Sequence, residues 1–287
     1  MAAPFPICYL NGERLPLAQA RISPLDRGFL FSDGVYEVMP VYGGRPFRFD
    51  AHRQRLTRSL NEIQMQDPHT HQEWRAILGS LIEANGGGNQ YVYWQVTRGV
   101  ETGRNHAPLP DNIPRTVFAF CAPLPAVPQT GAACITTQDT RWARCDIKSV
   151  SLLANVLLRQ LSVDAGAVET ILLRDGNLME ASSSAVHVVI GGEIRTPPRS
   201  NQILPGTTRS VMEEMAVRAG VPYRSTAVSE AELRSAAEIW ISSSTREVMA
   251  VTTLDGRPVG NGEPGPVWRR LSQEFQDYKR ELAGTPW

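Results

Sequence analysis

Three prolines, Pro123, Pro125 and Pro128, crowd the stretch Cys121–Gly131. Proline fixes φ and lacks an N–H, so no helix and no central strand runs through such a cluster. The stretch reads as a stiff linker that divides the 287 residues into two halves. The expected boundaries are 1–120 for a smaller N-terminal domain, 121–131 for the linker and 132–287 for a larger C-terminal domain. Each half is long enough to bury a core of its own.

Turn signals punctuate both halves. Asn11-Gly12, Gly43-Gly44, Asp175-Gly176 and Gly191-Gly192 each stand between short apolar or alternating runs, the signature of hairpins. Val35–Tyr42, Tyr91–Thr97, Thr116–Phe120, Glu169–Leu173, Ala185–Ile190 and Glu238–Ile241 read as strands. Leu56, Leu60 and Ile63 recur at helical spacing after Asp50, which reads as an N-cap. Trp74, Ile77, Leu78, Leu81 and Ile82 mark a second helix. Further helices are expected over about 151–164, from Thr207 or Thr208 to Gly220, and over about 265–282. Lys279 falls on a charged, solvated stretch of the last. Strands and helices do not alternate as βαβ units, so the fold class is α+β.

The formal net charge is zero and the pI is near 7.0, which argues against nucleic acid or an anionic membrane as the main partner. No apolar run approaches the roughly 20 residues of a membrane span. The N-terminus lacks a basic region followed by an apolar one, and Cys8, Cys121, Cys134 and Cys145 form no CxxC pair. The chain therefore reads as cytoplasmic with reduced thiols. GxxxxGK[ST], GxSxG and HExxH are all absent, and no Cys/His cluster suggests a metal. His69 and His71 read as surface residues.

Of the 29 basic residues only two are lysine, Lys148 and Lys279. Arginine does not give up its proton in a protein; lysine does, and its amine then attacks carbonyls. Lys148, placed just before the apolar run Leu152–Leu158, is accordingly a candidate nucleophile. Glu180, entering a buried strand, needs a partner, because an unpaired buried charge is costly. An arginine or a protonated pyridine nitrogen would serve. Gly206-Thr207-Thr208 at a helix start and Ser243-Ser244-Thr245 after a strand are candidate anion sites, with Arg55 as a source of charge. A lysine, a carboxylate and a phosphate nest are the parts of a pyridoxal phosphate site.

Taken together, Asp26-Arg-Gly, Phe31-Ser-Asp-Gly-Val-Tyr-Glu-Val38, Gln95-Val-Thr-Arg-Gly99, Arg141-Trp-Ala-Arg-Cys-Asp-Ile-Lys-Ser149, Glu180-Ala-Ser-Ser-Ser184, Ile203-Leu-Pro-Gly-Thr-Thr-Arg209 and Ser242-Ser-Ser-Thr resemble the fold-type IV pyridoxal-phosphate aminotransferases. The resemblance is nearest to the D-amino-acid aminotransferases and covers nearly the whole chain. It implies that Lys148 forms the Schiff base with pyridoxal 5'-phosphate and shuttles the proton. Glu180 would face the pyridine nitrogen and Leu204 the ring. Arg55, Thr207, Thr208, Ser243 and Ser244 would bind the phosphate.

Arg104 and His106, in the pattern Arg-x-His, match the substrate-carboxylate trap of that group, with Tyr36 joining it. In the family this loop reaches the site of the other subunit, so a homodimer is implied. Amino-acid and 2-oxo-acid substrates follow, D-alanine with 2-oxoglutarate or pyruvate among them. Branched-chain L-aminotransferases, (R)-amine transaminases and 4-amino-4-deoxychorismate lyases share the fold and stay as alternatives; a non-catalytic cofactor-binding protein is a remoter one. Two departures bear on substrate range. The Arg98–Arg104 loop is one residue longer than in bacillus-type members, and Pro40 replaces their lysine.

Overall fold

The computed structural model describes residues 3–107 and 113–283, which fall into two compact units. The first unit holds the described residues up to Pro125, together with Ile147–Ser151. Its strands are β1 (Ile7–Leu10), β2 (Glu13–Pro16), β3 (Gly34–Tyr42), β4 (Arg45–Pro46), β5 (Gln90–Thr97) and β6 (Thr116–Pro123). They form an antiparallel sheet in the order β2-β1-β6-β5-β3-β4. Its helices are α1 (Arg27–Phe31), α2 (Phe49–Glu62) and α3 (His71–Ala84).

Alternation along β3 decides what each residue meets. Val35, Met39 and Val41 enter a core with Leu56 and Leu60 of α2, Trp74, Leu78, Leu81 and Ile82 of α3, and Val92, Trp94 and Val96 of β5. Burial of each such aliphatic side chain contributes about 1.5–3 kcal/mol. Glu37 shares that inward face, whereas Tyr36 turns the other way and stacks on Tyr93, with ring centroids 5.4 Å apart.

Three expectations shift here. The cap of α2 is Arg48, at φ 59°, rather than Asp50. Asp50 lies in the first turn, where its charge still favours the helix dipole, and its Oδ1 lies 2.8 Å from His71 Nε2. Secondly, β6 continues to Pro123, which pairs with Gln90, so regular structure enters the expected linker. A proline at a strand's end forfeits little. Thirdly, Ile147–Ser151, expected in the C-terminal half, belongs to the first unit. The backbone explains it: Tyr36 N donates to Lys148 O at 2.9 Å, and Val150 N donates to Gly34 O at 3.0 Å.

Gly99 opens the loop that carries Arg104. Its φ is +101°, and an added Cβ would sit 2.2 Å from Pro114 O. Gly99→Ala should therefore cost about 1–3 kcal/mol from backbone strain alone, read as a lowered denaturation midpoint. An unchanged midpoint would show that the loop accommodates the methyl group.

The second unit is built on a mixed sheet. Its strands are β7 (Ala132–Gln138), β8 (Glu169–Arg174), β9 (Asn177–Ala181), β10 (Ala185–Ile190), β11 (Glu193–Thr196), β12 (Tyr223–Ser225), β13 (Glu238–Ser243), β14 (Glu247–Leu254) and β15 (Arg257–Pro258). The order is β12-β11-β10-β13-β14-β7-β8-β9, with β15 on β14. The pairs β11–β12, β14–β7 and β7–β8 are parallel. Its helices are α4 (Leu153–Asp164), α5 (Thr207–Arg218), α6 (Glu230–Ser235) and α7 (Pro266–Ala283).

Glu238 caps α7, its carboxylate accepting from Val267 N at 2.9 Å and Trp268 N at 2.8 Å. Lys279 is not solvated as expected: its Nζ donates to Glu247 Oε1 at 2.5 Å and Gln276 Oε1 at 3.0 Å. On α4, Leu153, Val156, Leu157 and Leu161 recur at helical spacing yet are 44–73 % exposed. No described helix is long and apolar enough to cross a membrane.

Candidate active site

In the first unit Lys148 lies beside β3. Its Nζ sits 4.1 Å from the centroid of the Tyr36 ring, and its backbone N donates to Ser59 Oγ on α2 at 3.2 Å. The strap that holds it is thus tied to the strand in front and the helix behind.

One turn before Ser59 stands Arg55, whose surroundings the sequence did not disclose. Its Nε donates to Glu37 Oε1 at 2.8 Å and its Nη2 to Glu37 Oε2 at 2.7 Å. His52 Nδ1 lies 2.7 Å from the same Oε2. All three residues are buried. Burial pushes the Glu37 carboxyl up, but Arg55 and His52 outweigh it and bring the value to about 2. Burial keeps His52 below its ordinary value despite Glu37. Arg55 is therefore anchored through a bidentate ion pair, the geometry that suits guanidinium and carboxylate.

Arg104 and His106 are exposed and meet at Phe31. The Arg104 guanidinium carbon lies 4.8 Å from the Phe31 ring centroid, and the His106 ring 5.2 Å from it. The part of this loop at 108–112 lies outside the described residues.

In the second unit Glu180, near the end of β9, is 6 % exposed. Of the two partners the sequence allowed, the structure contains the arginine: Arg141 Nη1 donates to Glu180 Oε1 at 2.5 Å. Asp139 fixes that guanidinium, accepting from Nε and Nη2 at 2.9 Å each. The Leu204 N–H reaches both Glu180 oxygens at 3.2 Å. Burial raises the Glu180 carboxyl, and Arg141 with the Leu204 amide only partly opposes it. Glu180 Oε2 carries the weaker of these bonds and retains lone-pair capacity for a further donor.

The cap of α5 is Gly206, not Thr207 or Thr208, and no side chain caps it. Thr207 and Thr208 are the buried first residues of the helix. Ser243 ends β13 and Ser244 enters the turn to β14, where Arg246 N donates to Ser243 Oγ at 3.3 Å. The preceding Ser242 contacts His187, whose burial holds it neutral with a value of about 3.

The serine run after Glu180 has a partner that sequence reasoning missed. Fully buried Glu169 accepts hydroxyls from Ser182, from Ser183 at 2.6 Å and from Ser184 at 3.2 Å. Arg246 Nη1 donates to it at 2.5 Å. Only the need of a buried carboxylate for donors could have hinted at this, without saying which residues supply them.

Residues 34–254 match the model of the class IV amino-transferases. The chain is 37% identical over 274 residues to a D-alanine aminotransferase of Staphylococcus aureus, covering 94% of this chain and 96% of that protein. A D-alanine aminotransferase of Listeria monocytogenes is 36% identical over 280 residues, covering 96% of each. Among solved structures, the branched-chain amino acid aminotransferase of Escherichia coli superposes with a TM-score of 0.91 at 23% identity, covering 99% of this chain and 97% of that one. The chain belongs to the class IV aminotransferases. It is an aminotransferase of fold type IV, a family that works with pyridoxal phosphate.

The residues present fit that cofactor. Within the second unit, a helix N-terminus without a side-chain cap suits a phosphate. Glu180, raised by burial, accommodates a further positive donor.

Proposed function

We propose that this aminotransferase moves the amino group of a D-amino acid, D-alanine among them, to a 2-oxo acid such as 2-oxoglutarate or pyruvate. The observation that carries this reading is the grouping of Arg104 and His106 on Phe31. A guanidinium suits bidentate capture of an α-carboxylate, with the imidazole and Tyr36 completing the recognition. Identity to D-alanine aminotransferases over nearly the whole chain supports it.

Bound pyridoxal phosphate supplies an electron sink for the charge that develops at the substrate α-carbon. In this reading Lys148 attaches the cofactor covalently. When free, its Nζ would take up and hand back the substrate α-proton. Glu180, held in place by Arg141 and the Leu204 amide, would face the pyridine nitrogen and favour its protonated form. Thr207, Thr208, Ser243 and Ser244 would hold the phosphate, and Leu204 would pack against the ring. Arg55 adds positive charge from its fixed place on Glu37.

The reading includes a homodimer in which the Arg104–His106 loop serves the partner's site. The exposed apolar stripe of α4 supports it as a face that a second copy would cover.

A branched-chain L-amino acid substrate is the second reading, favoured by the likeness to a branched-chain enzyme. Incubation with D-alanine, L-alanine or L-leucine plus 2-oxoglutarate, following glutamate, separates the two. Turnover is expected with D-alanine; turnover confined to the L-enantiomer would overturn the D assignment.

A further inference from the structure

The loop that carries Arg104 and His106 is organised from beneath by a buried ion pair. Arg27, 4 % exposed, and Glu101, 8 % exposed, meet with Nη1 to Oε1 at 2.7 Å. The same Nη1 also donates to the carbonyls of Asn105 at 2.6 Å and Ala107 at 3.2 Å. Nη2 reaches the His106 carbonyl at 3.4 Å. Glu101 works the same segment from the other side: its Oε2 accepts from Asn105 N at 3.4 Å. Three successive carbonyls and one amide of the loop thus converge on two buried, opposite charges.

Arg27 is itself fixed. Its Nε donates to Asp33 Oδ2 at 2.7 Å, an oxygen that also accepts from Arg98 Nε at 2.8 Å. Asp26 caps α1 by accepting from Gly28 N at 2.7 Å, and it takes the hydroxyls of Thr97 and Thr116. The guanidinium of Arg27 lies over the Phe31 ring at 4.7 Å, and that ring also receives Arg104. The path from the sheet through Arg27 to the two exposed loop residues is continuous, and all of it lies within one unit.

We propose that the Arg27–Glu101 pair is a positioning device for the Arg104–His106 loop and so governs recognition of the substrate carboxylate rather than retention of the cofactor. The proposal rests on the reading of that loop as the carboxylate trap. The physical reason is the low entropy of a backbone whose carbonyls share one rigid fork: lysine, a point charge, cannot satisfy three carbonyls, Asp33 and Glu101 together. A loop freed from the fork samples many poses, and misplacement of a recognition group by about 1 Å costs up to about 100-fold in rate.

The test compares wild type, Arg27→Lys, Arg27→Met and Glu101→Gln as holoenzymes. Three readouts are taken: the mass adduct of pyridoxal phosphate after borohydride reduction, kinetics with D-alanine, and trypsin cleavage after Arg104, scored by a new N-terminus at Asn105. Expected are an unchanged adduct, a kcat/KM lower by about 10- to 100-fold, mostly through KM, and faster cleavage after Arg104. Arg27→Lys should fall between wild type and Arg27→Met. Wild-type KM and cleavage rate in the variants, or loss of the adduct in step with activity, would overturn the proposal. Should Arg27→Met fail to fold, Glu101→Gln carries the same comparison, because it keeps Arg27 with Asp33. If wild type ignores D-alanine, the substrate reading fails, while the cleavage arm still decides whether the pair orders the loop.

Discussion

Lys148→Ala should abolish the borohydride-trapped adduct of pyridoxal phosphate and lower kcat/KM for transamination by at least about 1,000-fold, the scale of a lost general base and nucleophile. The fold should survive. What ties residues 147–151 to β3 is backbone, Lys148 O to Tyr36 N and Gly34 O to Val150 N, and alanine keeps both bonds. The side chain lost is one that packs its amine over Tyr36 at 4.1 Å. Thermal denaturation should therefore move little while chemistry stops. An adduct recovered on the variant would mean that a different amine carries the cofactor. Wild-type transamination by Lys148→Ala would reject the assignment outright.

Glu37→Gln should act in the opposite manner, on stability before chemistry. Glu37 holds both Arg55 and His52 through one carboxylate, and all three are buried. Neutralising one member of a buried pair leaves an uncompensated charge and costs about 3–5 kcal/mol. For a chain of this size that lowers Tm by on the order of 10 °C. The pH dependence has a fixed sign. Glu37 ionises near 2 in the fold, against an ordinary 4.5. Its stabilisation is complete above the unfolded value and drains away as pH falls from about 4.5 toward 2. The gap between wild type and variant, measured by denaturant titration, should be widest near neutral pH and narrow below about 4.5. A constant gap across that range would show that the carboxylate charge is not what the variant removes.

The hairpins were legible because turns with positive φ leave a chemical mark. Asn11 and Gly12 stand at φ 49° and 102°, and Gly191 and Gly192 at 58° and 82°, where the residue types had placed them. The α2 and α3 helices were legible through their apolar spacing, since the side chains that recur are those that reach the core. The caps were less so. Thr70, with its box to Glu73, obeys the rule, but Arg48 caps α2 in a left-handed conformation that no residue preference announces.

What stayed hidden was pairing across long sequence separations. Nothing near Lys148 tells that its carbonyl will meet Tyr36, on a strand far earlier in the chain. Glu37 could be read as an inward-facing residue of an alternating strand, yet alternation does not name Arg55. Glu180 required a partner; the sequence supplied two chemistries, and Arg141 is the one in contact. Arg27 belongs to the Asp26-Arg-Gly motif, but the motif does not name the loop carbonyls that converge on it.

Lys279, engaged by Glu247 and Gln276, leaves the protein with very few side-chain amines in play. Carbonyl compounds condense with amines without much discrimination, and a lysine-coated surface scavenges any aldehyde offered to it. A surface whose positive charge is carried by guanidinium groups offers no such sink. Simple monoaldehydes should thus leave a sparse pattern of modification on this enzyme, and an amine-directed label has few positions to report on without any engineering.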